Sequence, residues 1–230
     1  DRCVNLFMEL CAGSLQSRMR DNGRPFNHEE AVEITRQVLT AVEYLHSLEL
    51  VHRDIKPGNV LIGRDGNFKV ADFGTATKAK DELVATAGTF RFMAPEVFSG
   101  EQYGQACDIW SVGILYLDLV NKLPPPGFVA MPSLVDDLDA SQVTLPGGLD
   151  QDTHGFLSLC LQMDQTQRPS AATLLHHPFF HTKTESAPGF TRAAGGAVAT
   201  SAQPGAQQGT TMPERSGSVA SDGSDLLPGI

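Results

Sequence analysis

Two short apolar runs, Val60-Leu61-Ile62 and Phe68-Lys69-Val70, stand on either side of Arg64-Asp65-Gly66-Asn67. Asp-Gly is a strong turn signal between antiparallel strands, so this segment reads as a β-hairpin. Its flanks are constrained with it. His52-Arg53-Asp54-Ile55-Lys56-Pro57-Gly58-Asn59 leads in and Asp72-Phe73-Gly74 leads out. If Gly63 faces Asn67, Asn59 and Asp72 emerge together at the open end. An amide oxygen and a carboxylate placed there suit a hard cation such as magnesium, which takes oxygen ligands and leaves positions for substrate phosphates. Asp54, at the start of the same loop, can accept a proton from an attacking hydroxyl. Lys56 can offset charge on a phosphoryl group, whose transfer needs chiefly positioning and electrostatic stabilisation.

These motifs at these spacings resemble the protein kinase family. The resemblance implies that Asp54 is the catalytic base, that Asn59 and Asp72 hold Mg2+, and that Lys56 contacts the γ-phosphate of ATP. Lysine two residues after the aspartate is similar to the serine/threonine class. Gly88-Thr89-Phe90-Arg91-Phe92-Met93-Ala94-Pro95-Glu96 resembles the end of a kinase activation segment. There Thr89 would bond Asp54 and Lys56, and Glu96 would pair with Arg168. Asp108-Ile109-Trp110-Ser111 resembles the start of the central buried helix, whose aspartate supports the catalytic loop. Residues 4 to 10 read as a strand running into a linker. By resemblance Met8 is the gatekeeper, Glu9 to Cys11 form the adenine-binding hinge, and Leu61 packs where adenine sits; the plain alternative is an edge strand. The wording of Met8 to Cys11 and of Gly88 to Val97 is most similar to the mitogen-activated protein kinase kinase kinase (STE-like) group.

Within 230 residues of 41% hydrophobic composition there is material for one substantial core plus further segments. A formal charge of −10 argues against a broad nucleic-acid surface. Cys3, Cys11, Cys107 and Cys160 are scattered without a Cys-x-x-Cys pair, which fits reduced thiols and a cytoplasmic setting. No apolar stretch approaches membrane-span length, and Asp1-Arg2-Cys3 does not open a secretory signal. The missing initiator methionine points to a start inside a longer protein.

Asn27-His28-Glu29-Glu30 resembles a capping box, and Ile34, Val38, Ala41, Val42 and Leu45 recur at helical spacing, predicting a helix over 28–47. Asp108 to Leu123 is apolar on nearly every side, predicting a helix enclosed by protein and ended by Pro124-Pro125-Pro126-Gly127. Residues 150–180 resemble the last helices of the kinase large lobe, while 127–149 match poorly. After Lys183 the chain turns to Gly, Ala, Ser, Thr, Gln and Pro, a composition that cannot offset the entropy of ordering. Residues 1–183 thus read as a partial kinase domain and 184–230 as a disordered tail.

The expected fold is mostly α with a small hairpin sheet: the hinge and large lobe of a kinase, without the small lobe. No Gly-x-Gly-x-x-Gly or Val-Ala-x-Lys motif occurs anywhere in the chain. A serine/threonine kinase fragment using Mg-ATP and a protein substrate is the favoured reading, inactive as these residues alone. The alternative is a non-catalytic kinase-like binding or scaffold module. Arg53 beside Asp54 is a cation that an activation-segment phosphate could neutralise. Thr86 is the first candidate for an upstream kinase, with Thr75 and Thr77 behind it. His176, His177 and His181 read as capping or surface histidines, and Asp136, Asp137 and Asp139 as a solvated acidic face.

Overall fold

A computed structural model describes residues 7–78, 89–121 and 143–181, all within one compact unit, Asp1–Thr191. Thr86, the triple proline, the acidic stretch at 136–139 and the expected tail lie outside the described residues. Helix α1 (Leu15–Asn22) is opened by a reciprocal cap between Ser14 and Ser17 and closed by Gly23 at φ +61°, a left-handed turn that favours glycine. Helix α2 (His28–Ser47) begins at Asn27, whose Oδ1 accepts from Glu30 N at 2.8 Å while Glu30 Oε2 accepts from Asn27 N at 3.0 Å. Its buried face includes Ile34, Val38, Leu39 and Val42, following the helical spacing.

Among the described residues, five short strands frame the loop. β1 (Gly13–Ser14), β3 (Val60–Ile62) and β4 (Phe68–Val70) form an antiparallel sheet in the order β1-β3-β4. β2 (Leu50–Val51) pairs antiparallel with β5 (Thr77–Lys78). The hairpin register is Val60↔Val70, Leu61↔Lys69 and Ile62↔Phe68, and Gly63 N donates to Asn67 O at 2.8 Å. At its tip Gly66 takes φ +85° and Asp65 Oδ1 accepts from Asn67 N. The small sheet component is thus larger than one hairpin: β2 and β5 pinch the chain just before His52 and just after the Asp72 triplet.

Two expected boundaries move. The strand over 4–10 is not seen at Phe7–Leu10, which is irregular: none of the strand pairings among the described residues includes it, so no ladder takes up its backbone groups. The central helix, α4, runs from Ala106 to Leu119 rather than from Asp108 to Leu123, with Val120 capping it through bonds to Asp118 and Tyr116 carbonyls. Twelve of its residues are buried, as the all-round apolar pattern requires. At Gly113 a Cβ would meet Cys160 Cβ at 2.9 Å, so glycine sets the approach of α4 to α5 (Gln151–Cys160). Short helices α3 (Pro95–Ser99) and α6 (Ala171–Leu174) are the remaining α-helices among the described residues. Phe156 and Phe179 stack at 4.3 Å between centroids, with Tyr116 edge-on to Phe179 at 5.1 Å.

Burial pushes the Cys107 and Cys160 thiols well above the ordinary thiol range, whereas Cys11 is partly exposed. Iodoacetamide near pH 8 is expected to alkylate Cys11 while leaving Cys107 and Cys160 intact until denaturant is added, as read by peptide mass mapping. Because these two pKa values are raised on folding, their contribution is complete below the unfolded thiol value of about 8.5 and declines as pH rises above it. Stability should therefore fall on the alkaline side.

Candidate active site

The loop is positioned from behind by Asp108, in the first turn of α4 and fully buried. Its Oδ2 accepts from His52 N at 2.9 Å, its Oδ1 from Arg53 N at 2.8 Å, and His46 Nε2 lies 2.9 Å from Oδ2. Arg53 is held at φ +70°, a left-handed conformation that costs a non-glycine residue on the order of 1–3 kcal/mol. Hydrogen bonds to a charged acceptor contribute about 1.5–3 kcal/mol each, enough to hold it there. The Arg53 side chain bonds the Thr75 carbonyl and, at 3.2 Å, the Tyr103 hydroxyl, with no carboxylate partner among the described residues. His52 Nε2 donates to Ala71 O at 3.1 Å, so its Nδ1 accepts from Asp54 N at 3.3 Å.

Asp54 sits at the centre of a closed polar set. Its Oδ2 accepts from Lys56 Nζ at 2.6 Å and from Asn59 Nδ2 at 2.8 Å, while its Oδ1 accepts from Thr89 Oγ1 at 2.9 Å. Lys56 Nζ also donates to Thr89 Oγ1 at 2.7 Å. Residues from three segments, the loop, the mouth of the hairpin and the chain entering α3, thus meet on one carboxylate.

Asn59 N–H groups face Asp54, which leaves its amide oxygen as the remaining donor for a cation. Ala71 N donates to Asn59 O at 2.8 Å, which brings Asp72 to the same mouth of the hairpin. Asp72 is exposed at φ +65°, and one carboxylate oxygen accepts from Gly74 N at 3.3 Å, leaving the other open. An amide oxygen and a carboxylate are hard donors of the kind Mg2+ takes, so the residues present fit that ion.

The other expected binding residues lie along the linker and β3. Ala12 N donates to Ile62 O at 2.7 Å, tying the linker to β3, where Leu61 is half-buried. Glu9 pairs with Lys69 of β4 at 2.6 Å, and Cys11 Sγ lies 3.8 Å from Glu9 O. Phe7, Met8 and Leu10 are 93%, 69% and 68% exposed.

Glu96 and Arg168 form the expected pair, bidentate at 2.6 and 2.8 Å, with side-chain exposures of 3% and 0%. Three contacts escaped the sequence reading. Arg91 bonds Asp118 of α4 at 3.0 Å, Ser111 Oγ donates to Phe92 O at 2.8 Å, and Gln16 of α1 overhangs Gly58, where a Cβ would meet its Oε1 at 3.1 Å. Only α1 left a readable signal, in Ser14, Ser17 and Gly23.

The family profile of the protein kinase domain matches residues 1–180, and the chain belongs to the protein kinase family. Its relatives place it in the eukaryotic serine/threonine class. Mitogen-activated protein kinase kinase kinase 3 of Arabidopsis thaliana is 34% identical over 195 residues, covering 81% of this chain and 32% of that protein. Serine/threonine-protein kinase pakB of Dictyostelium discoideum is 37% identical over 192 residues, covering 78% and 22%. Serine/threonine-protein kinase PLK4 of Drosophila virilis is 37% identical over 181 residues, covering 76% and 23%. The chain spans about a third or less of the length of these relatives. No helix among the described residues is long and apolar enough to cross a membrane.

Replacing Arg168 by Met would leave Glu96 buried without its partner. A loss of about 3–5 kcal/mol is expected, measured as a lower urea midpoint, because an uncompensated buried charge costs more than the pair contributes.

Proposed function

We propose that this chain is the hinge and large lobe of a serine/threonine protein kinase that transfers the γ-phosphoryl of Mg-ATP to protein hydroxyls. The observation that carries this reading is the set on Asp54, where Lys56, Asn59 and Thr89 all converge. Asp54 is the base for the acceptor hydroxyl. Thr89 and Asn59 fix the orientation of its carboxylate, and Lys56 offers positive charge beside the point of transfer. Asn59 and Asp72 would hold magnesium, which when bound supplies charge neutralisation for the phosphates. Met8, Glu9, Cys11 and Leu61 are proposed to border the adenine, with the missing glycine-rich loop and strand lysine belonging to a small lobe outside these residues. The chain's grouping is proposed to be with the mitogen-activated protein kinase kinase kinases, in line with the Arabidopsis relative.

A non-catalytic module is the second reading, favoured by the exposed Phe7, Met8 and Leu10, which offer an apolar face to a partner. Transfer of labelled phosphate separates the two. These 230 residues alone are expected to transfer little, and the same residues joined to a glycine-rich small lobe are expected to transfer phosphate. In the joined form Asp54→Asn should lower kcat by about 10²–10⁴-fold. Unchanged turnover in that variant, or no transfer from the joined form, would favour the module. Appreciable Asp54-dependent transfer by the 230 residues alone would instead show that they suffice.

Regulation is proposed to run through Arg53, whose guanidinium lacks a carboxylate partner among the described residues. A phosphate placed on Thr86 by an upstream kinase would supply one. Phosphopeptide mapping of active protein should find Thr86 modified, and Thr86→Ala should reduce activity; a fully active alanine variant would remove Thr86 from this role.

A further inference from the structure

Next to the His46–Asp108 contact, a cavity of about 400 Å³ whose lining does not include Asp54 opens between the end of α2, the start of α4 and the segment at Arg168. Its lining joins apolar surface from Ile109 and Pro169 to the side chains of Glu43, His46, Gln105 and Arg168. The hydrogen bonding of these four decides what could bind there.

Arg168 presents no spare donor. Its Nε donates to Gln162 O, its NH1 to Glu96 and Ala106 O, and its NH2 to Glu96 and Met163 O, so all five N–H groups are engaged. His46 is oriented by Asp108. In the tautomer that donates Nε2–H to that carboxylate, Nδ1 is the ring's acceptor. The His46 side chain is only 9% exposed, and Nδ1 has no partner among the described residues. It is also not sealed off, since the one buried, unpartnered side-chain nitrogen or oxygen among them is Trp110 Nε1. Gln105 Nε2 donates to His46 O at 2.8 Å, leaving its Oε1 as another acceptor. Glu43 stands one helical turn before His46 on α2 and has no ion-pair or hydrogen-bond partner among the described residues.

Glu43, His46 and Gln105 thus offer acceptors, one of them anionic, beside an Arg168 whose donors are all engaged and the locally bonded hydroxyls of Ser47 and Ser170, within partly apolar walls. We propose that this cavity is a second ligand site, separate from the Asp54 centre, that takes a small molecule carrying a protonated amine on a short apolar body. The ammonium group bridges Glu43 and His46 Nδ1, and the apolar body lies against Ile109 and Pro169. Occupancy fixes the His46 ring and therefore the Asp108 carboxylate that holds His52 N and Arg53 N. The site addresses the catalytic loop through Asp108.

Phenethylamine is a suitable probe, with 2-phenylethanol as its neutral counterpart, each titrated into the whole 230-residue chain. Nitrogen NMR of the imidazole rings should show a saturable shift at His46 Nδ1 with the amine. The affinity should be about tenfold or more weaker for the alcohol and for the Glu43→Gln variant, a difference of ~1.4 kcal/mol. Equal affinity for amine and alcohol, equal affinity in the variant, or no saturable shift at His46 would overturn the proposal. With the amine bound, the amide protons of His52 and Arg53 should exchange more slowly, and unchanged exchange would overturn the coupling to the loop. None of these readouts involves phosphoryl transfer, so they stand or fall apart from the kinase reading.

Discussion

The Asp108 carboxylate governs the rest of the site. Burying a carboxylate is costly unless it is hydrogen-bonded, and here three nitrogen donors from two parts of the chain converge on it. Helix α4, enclosed by the core, fixes where the carboxylate stands. The carboxylate then fixes the backbone of His52 and Arg53, including the left-handed turn at Arg53 that a free chain would avoid. Asp54 follows at once. Its orientation is therefore inherited from apolar packing some distance away, and the polar set of Lys56, Asn59 and Thr89 refines a placement already made.

Two further ties act in the same manner. The hairpin register delivers Asn59 and brings Asp72 to the same end, and the β2–β5 pairing closes the chain on either side. The Glu96–Arg168 pair secures the segment that carries Thr89, with Ser111 and Arg91 adding ties from that segment to α4. Each tie joins a charged or polar group to an element whose position is set by burial. The site thus has little freedom of its own, which is what a centre relying on preorganised charge requires.

The parts of this arrangement written locally were legible in the sequence. The Asp65-Gly66 turn, the Asn27 capping box and the all-round apolar pattern of α4 each rest on residues a few positions apart. The likeness to kinases supplied the Glu96–Arg168 and Asp108 contacts, which no spacing rule would give. What escaped was of two kinds. The extra strands β1, β2 and β5 are two residues long, too short for an alternation to be read. Arg91 with Asp118 and Gln16 with Gly58 join distant positions whose meeting depends on tertiary packing. The strand expected over 4–10 failed at Phe7–Leu10 for a related reason: a strand is a property of a pair, and a run of apolar residues states only one half of it.

The Asp108 contacts span 56 residues to His52, and Glu96 reaches 72 residues to Arg168. During synthesis at roughly 5–20 residues per second, the loop would leave the ribosome several seconds before the carboxylate that shapes it. The segment bearing Thr89 waits similarly for Arg168. Until then Glu96 is a carboxylate without its buried partner, and it has reason to remain in water rather than enter the core. The order of translation thus keeps the polar set on Asp54 without its supports until almost the whole described domain exists, so a nascent chain would hold the sequence of the site without yet holding its geometry.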